Sequence, residues 1–270
     1  MSSFPVAGPI WLVGCGNMAG AMLRRWLACG LDPREVTVIR PSAAPVAEGV
    51  TVLAAPPPDG GQPAMVMLGV KPQMLDQVAP WVAPLLAPET LLVSILAGVE
   101  LASLRRRFDT PRAILRANPN TPVALGQGVV ALVGEGMEAA ERARAEALMA
   151  LLGHAEWLEE TQFDIVTALA GSGPAFLFRF IDALAEAGAD AGLEPARAAR
   201  FALATVAGAG ALAETACESP RQLADRVASR GGSTRRGLDV LDEPEGLVPL
   251  MRNTLTAAIL RNREMAAAAR

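Results

Sequence analysis

Short apolar runs recur through residues 10–157, separated by stretches with helical spacing or turn residues. Ile10–Val13, Val36–Ile39, Val50–Leu53, Met65–Val70, Leu91–Leu96, Ala113–Arg116, Val129–Leu132 and the segment HAEWL beginning at His154 read as strands. The first five are continuous apolar runs without alternation, which marks strands covered on both faces, as in parallel sheets. Helices are predicted from the glycine turn after the first strand to Ala28, and from Glu138 to Leu152. Strands and helices in turn point to a doubly wound α/β fold. Beyond Phe163 the strand pattern stops. Residues 174–191, 195–215, 221–228 and 244–268 read as helices, with Pro174, Pro195, Pro220 and Pro244 at or near their starts, where a missing N–H costs little. Two domains are expected, an α/β domain over 1–161 and an all-α domain over 162–270. The stretch Ala55–Gly61, rich in proline and glycine, reads as a surface loop.

Composition sharpens this picture at a few points. Apolar residues make up 51% of the chain, enough for a sizeable core, while aromatics make up only 4%. Ala204, Ala207, Gly208, Gly210 and Ala211 line the helix from Pro195 with small side chains. Such a stripe fits a homodimer interface or, alternatively, an internal core. A net charge of -4 offers no basic footprint for nucleic acid. No uninterrupted apolar run reaches about 18 residues, so no membrane span is expected. The N-terminus has no positive region ahead of an apolar stretch, so no secretory signal is expected either. Cys15, Cys29 and Cys217 are odd in number and lack metal-like spacing, which suits a reducing cytoplasm and no metal site.

Three residue counts bear on chemistry. The chain has no tyrosine, one histidine (His154) and one lysine (Lys71) against 23 arginines. A Tyr–Lys pair is therefore excluded. His154 opens a strand far along the chain from the glycine turn, where a structural role is expected.

Gly14-Cys15-Gly16-Asn17-Met18-Ala19 is a G-x-G-x-x-A turn directly after a strand and opening a helix, the dinucleotide fingerprint of a Rossmann domain. Gly14 permits the tight turn, Gly16 lets backbone approach a pyrophosphate, and Ala19 allows close helix packing, with the helix N–H groups facing the phosphates. At the end of the second strand an NAD enzyme places an acid for the ribose. Here stand Arg40 and Ser42, which suit a 2′-phosphate, so NADP(H) is expected and NAD(H) is the alternative. Val70-Lys71-Pro72 ends the fourth strand and Ala97-Gly98 the fifth. Both lie where open α/β sheets bind ligands, with the Ala97-Gly98 backbone slim enough to pack on a nicotinamide.

The ordered motifs G-C-G-N-M-A-G-A, V-K-P, S-I-L-A-G, R-A-N-P-N-T-P, L-A-G-S-G-P-A-F and S-R-G-G-S-T resemble the signature of the pyrroline-5-carboxylate reductase family. The resemblance implies a Rossmann domain followed by an all-α C-terminal dimerisation domain, a homodimer and rings of dimers. It implies reduction of 1-pyrroline-5-carboxylate to L-proline, the last step of proline biosynthesis. Arg116–Pro122, with Asn120, would line the nicotinamide end, and Gly171–Pro174 would open the first long helix of the second domain near it; taken locally, the same segment is an ordinary helix entry with Ser172 as its cap. Ser229, Gly231, Gly232, Ser233 and Thr234 would form the substrate loop, supplied by the partner subunit, and Glu160 would be an acid near the substrate. Consecutive glycines leading into Ser233, Thr234 and a helix also make a nest of N–H donors suited to a carboxylate. Thr234 and Ser233 are the candidate catalytic residues, with the Thr234 hydroxyl on the ring nitrogen. Three positions depart from the family pattern: Asn118 for Met, Arg230 for Pro and Ser233 for Thr.

The missing acid agrees with this chemistry. Reducing a carbonyl creates an alkoxide that needs a proton donor. Reducing a protonated cyclic imine quenches a charge already present, so positioning carries most of the catalysis. Alternatives are a reductase of another cyclic imine, a β-hydroxyacid dehydrogenase-like enzyme, or a non-catalytic NADP-binding oligomer. The dehydrogenase would need a lysine on the helix 174–191, which has none.

Overall fold

A computed structural model describes residues 4–57 and 61–268, so Pro58, Asp59 and Gly60 of the expected loop lie outside the described residues. The chain forms two compact units. The first runs to Ser172 and regains the chain from Ala258; the second is Gly173–Ala257.

In the first unit, β1 (Ile10–Val13), β2 (Val36–Ile39), β3 (Thr51–Leu53), β4 (Met65–Leu68), β5 (Leu91–Ser94), β6 (Ile114–Pro119), β7 (Gly128–Glu135) and β8 (Gly153–Trp157) form one sheet. Their order is β3-β2-β1-β4-β5-β6-β7-β8, and every neighbouring pair is parallel except β6 and β7. The strand order reverses at β1, where Val13 stands beside both Ile39 and Leu68. In such sheets ligands bind outside the carboxyl ends at this switch point.

The lack of alternation in the strands has a direct cause. Ile10 and Leu12 of β1 pack with Met22 and Trp26 of α1 (Asn17–Ala28), while Trp11 and Val13 face the opposite core with Leu75 and Val78 of α2 (Leu75–Val82) and Leu104 of α3 (Leu101–Arg107). On the first side Trp26 Nε1 also donates to the carbonyl of Leu148 in α4 (Ala139–Ala150) at 3.1 Å. The crossover helices α2 and α3 have no counterpart in the sequence pattern. Pro80 sits inside α2, and α3 is only seven residues long.

β6 runs further than its apolar start suggests, and its alternate residues bind the segment that follows the sheet. That segment consists of a 3-10 turn (Glu160–Gln162), α5 (Phe163–Val166) and a π turn (Thr167–Gly171). Arg116 Nη1 reaches Glu160 Oε1 at 3.0 Å and its guanidinium lies 3.8 Å above the Phe163 ring. Asn118 Nδ2 donates to Thr167 Oγ1 at 3.1 Å, and Asn120 Nδ2, just past the strand, to the Ala170 carbonyl at 3.0 Å. The last bond answers a need created by Pro174. An α-helix would give the Ala170 carbonyl a donor from residue 174, but proline has no N–H. These ties hold residues 160–172 to the sheet, and the first compact unit runs to Ser172.

Gly171-Ser172-Gly173-Pro174 therefore does not begin a fresh helix. Ser172 has helical torsions and its N–H already bonds the Thr167 carbonyl at 3.0 Å, so it is not a cap. Helical structure continues from Glu160 to Asp190, the one stretch among the described residues long and apolar enough, by length and composition alone, to cross a bilayer. Arg179 and Asp182, paired at 3.0 Å, interrupt its apolar face.

In the second unit, α6 (Gly173–Asp190) and α7 (Pro195–Thr215) pack together, with α8 (Pro220–Val227), α9 (Ser233–Leu241) and the start of α10 (Leu247–Ala268) following. Pro244 lies in the turn before α10 instead of starting it. Phe178, Phe201 and Leu203 are 63%, 60% and 58% exposed, so the described chain leaves these apolar side chains uncovered.

Candidate active site

At the end of β1, Gly14 turns the chain with φ at 83°, a left-handed conformation that disfavours any residue with a Cβ. Its N–H bonds the Ile39 carbonyl at 2.9 Å. A Cβ here would stand 2.8 Å from Val70 Cγ1, and one on Gly69 would stand 2.9 Å from Ala19 Cβ. Gly14, Ala19 and Val70 thus lie together. Gly69, the residue before Val70, is what lets α1 approach β4. Gly16 is different: nothing lies within 4 Å of where its Cβ would be. It is also the N-cap of α1 and supplies no side-chain cap, so the N–H groups of Asn17, Met18 and Ala19 open onto that space. A pyrophosphate fits this cradle.

Arg40 follows β2. Its N–H bonds the Leu53 carbonyl, Nη2 bonds the Ala44 carbonyl at 2.6 Å, and Nε is buried without a partner. A cavity of about 280 Å³ lies between Arg40 and the glycine turn. Gly16, Asn17 and Arg40 line it, no acid does, and the exposed Ser42 does not reach it. Arg24 of α1 lines it instead, a residue the motif alone did not single out. Burial pushes the Cys15 thiol up, against the pull of Arg40 and Arg24, so it is no ready nucleophile.

Lys71 is exposed and precedes a 3-10 turn that starts with Pro72. Pro72 and Ala97 share a hollow of about 600 Å³ with Asp76 and Arg107, which are paired at 2.7 Å. That guanidinium holds the Asp76 carboxyl below its ordinary value. Gly98 has a use not expected from the motif. The atoms nearest an added Cβ would be Ala266 N and Met265 C, both at 3.3 Å, so its small size serves the close packing of α10.

Two expected site residues are already engaged. Asn120 is buried, with Nδ2 on Ala170 and Oδ1 accepting the Val129 N–H at 2.8 Å, so its amide braces the chain. Glu160 Oε1 accepts from Arg116 and from the Leu101 N–H at 2.8 Å, so this oxygen links β6 to the start of α3. His154 is exposed on β8 and faces Glu156 Oε2 at 3.0 Å.

In the second unit the loop before α9 is tightly wound. Gly231 has φ at 71°, and the Gly232 N–H bonds the Ser229 carbonyl at 3.0 Å. A Cβ on Gly232 would lie 2.6 Å from Ser229 Oγ, so only glycine lets that hydroxyl close over the turn. Gly232 caps α9 without a side chain, leaving Ser233 and Thr234 in an open first turn. Arg235 binds Asp225 of α8 at 3.1 Å and both Asp239 and Asp242 at 3.0 Å, fixing the loop between α8 and α9. Arg230 is exposed, with no ion-pair partner among the described residues.

Fold and turn together define a dinucleotide-binding oxidoreductase architecture carrying a separate helical unit. Residues 9–98 match the family model described as NADP oxidoreductase coenzyme F420-dependent, and residues 160–265 match that described as pyrroline-5-carboxylate reductase dimerisation. A pyrroline-5-carboxylate reductase from Pseudomonas aeruginosa is 34% identical over 264 residues, 95% of this chain and 96% of that one. The enzyme of that name from Synechocystis is 37% identical over 263 residues, 94% and 97% of the two chains. Among solved structures, pyrroline-5-carboxylate reductase from Coxiella burnetii matches with a TM-score of 0.86 at 30% identity, over 96% of this chain and 98% of that one. The Plasmodium falciparum pyrroline carboxylate reductase with NADP bound shares the fold, with a TM-score of 0.84 at 22% identity over 96% and 98%. The chain belongs to the pyrroline-5-carboxylate reductase family.

Proposed function

We propose that this protein reduces 1-pyrroline-5-carboxylate to L-proline using NADPH. The observation that carries the reading is the uncapped start of α9, where the backbone N–H groups of the first turn, which holds Ser233 and Thr234, lie open next to the Ser229 hydroxyl packed on Gly232, in a chain without tyrosine. When bound, NADPH supplies the hydride. Gly14–Ala19 would hold its pyrophosphate and Arg40 its 2′-phosphate, with Val70, Lys71 and Pro72 along the ribose and Ala97 near the nicotinamide. The absence of an acid at the end of β2 supports NADP(H) over NAD(H).

The loop does the rest. N–H groups at the start of α9 and the Ser233 hydroxyl hold the substrate carboxylate, favoured by the positive end of the helix. Thr234 orients the ring by a hydrogen bond to its nitrogen. The imine arrives protonated, so no side chain has to deliver a proton to the product. Glu160 and Asn120 act by bracing the segment before α6.

The uncovered apolar residues of α6 and α7, within the matched dimerisation region, support a homodimer. Rings of dimers are the larger assembly the resemblance implies, and sedimentation would distinguish the two. Three free cysteines suit a reducing compartment such as the cytoplasm.

The test is loss of NADPH absorbance on adding 1-pyrroline-5-carboxylate to purified protein, with NADH and a six-membered cyclic imine in parallel. Fastest turnover with NADPH and the five-membered imine is expected. No oxidation with any cyclic imine would overturn the assignment.

A further inference from the structure

We propose that Arg24 is a second cation for the 2′-phosphate of the dinucleotide, and that Gly20 is the residue that lets it reach. The inference rests on the cofactor reading above and deepens it.

Side chains of a helix slope toward its N-terminus, so the head of residue 24 falls over residue 20. A Cβ added at Gly20 would stand 3.3 Å from Arg24 Nη1 and 3.7 Å from Cys15 Sγ, with no other side chain within 4 Å. Glycine is the poorest choice after proline inside a helix, yet Gly20 occupies the first third of α1. No backbone crosses it and no left-handed torsion requires it. What its missing side chain makes room for is the Arg24 guanidinium, laid back along the helix toward the phosphate turn.

The adjacent arginine shows the contrast. Arg25 Nε is spent on the Leu151 carbonyl at 2.9 Å. Arg24 has no ion-pair partner among the described residues and lines the cavity of about 280 Å³ that Arg40 also lines. Two guanidinium groups thus flank one acid-free space, and the Arg40 Nε lies buried without a partner. Both cations act on the Cys15 thiol, which places them around the same turn. A phosphate monoester, with charge near -2 and three acceptor oxygens, is the group that two such forks satisfy. A neutral 2′-hydroxyl offers neither the charge nor the three acceptors that two such groups call for.

The experiment measures dissociation constants of the full-length protein for 2′,5′-ADP and 5′-AMP by calorimetry, with thermal midpoints alongside. In Arg24→Ala the preference for 2′,5′-ADP should fall about tenfold, the loss expected for one charge-assisted contact. Arg24→Lys should restore part of it. Gly20→Ala should lower the preference too, while its thermal midpoint holds or rises, because alanine favours the helix and only the tip of Arg24 must move. Equal weakening of both ligands in Arg24→Ala, or no change in either, would overturn the proposal and leave the cofactor reading standing. A wild-type protein with no preference for 2′,5′-ADP would overturn both. Failure of imine turnover, with the Arg24 and Gly20 effects as described, would sink the reaction alone and uphold this inference.

Discussion

Arg116 Nη1 lies 3.0 Å from Glu160 Oε1, and that oxygen also accepts the Leu101 N–H at 2.8 Å. One carboxylate oxygen therefore joins a strand, the start of a crossover helix and the segment leading to the second unit. The Arg116 side chain is only 3% exposed, so removing its partner strands a charge in the interior. Glu160→Ala is expected to lower stability by about 1–3 kcal/mol, less than for a fully buried pair because Glu160 itself is 35% exposed. Glu160→Gln keeps an acceptor and should recover much of the loss. Thermal unfolding of the two variants checks this, and a KM change with no stability change would point back to a direct substrate role.

Gly14 and Gly16 stand two residues apart and should fail in different ways. Gly14→Ala forces a left-handed torsion costing about 1–2 kcal/mol, before the overlap with Val70 and the Gly69 backbone is counted. It should lower the thermal midpoint. Gly16→Ala meets open space, so its midpoint should stay near that of the parent. The new methyl group would occupy the approach to the pyrophosphate, so affinity for NADPH and NADH should fall together. Melting curves with and without cofactor separate the two outcomes.

The central strands β1, β4 and β5 were legible because each is buried from both sides, which leaves its mark in consecutive positions. The glycine turn was legible for a related reason: its constraints are local to six residues. What escaped depends on partners distant in the chain. The π turn at Thr167–Gly171 needs the Asn120 amide to serve the carbonyl that Pro174 cannot, so the local motif read instead as an ordinary capped helix start. α2 hid behind Pro80. The place of Gly98 became visible only with the last turns of α10 packed on it. Arg24 is the instructive case. Its four-residue offset from Gly20 is plain in the sequence, but the cavity it faces is built by the loop after β2.

Acid should expose a small group of surface carboxylates. Asp32 accepts from the Arg34 side chain and N–H, which lowers its pKa from the ordinary 3.8 to about 2. A carboxylate depressed by folding contributes stability that is present above its unfolded pKa and is lost as pH falls through the folded one. The loss belongs between 3.8 and about 2. Asp32→Asn should therefore sit below the parent in thermal midpoint at neutral pH and converge with it across that window. Parallel curves at all pH values would contradict the linkage. Asp76, held low by Arg107, should behave in the same sense.

Thr234 offers the sharpest division between binding the cofactor and using the substrate. It lies in the open first turn of α9, in the second unit, whereas the glycine turn belongs to the first. A hydroxyl that orients the iminium ring contributes through one hydrogen bond to a charged group, worth about 1.5–3 kcal/mol. Thr234→Ala should then lower kcat/KM for the imine by roughly tenfold to a hundredfold, while NADPH affinity by fluorescence titration stays within a factor of about two. Thr234→Ser should recover most of the rate, since it restores the hydroxyl and loses only a methyl group. If alanine and serine were equally damaged, packing of the methyl would be the cause. If NADPH binding fell in step with turnover, Thr234 would belong to the cofactor site.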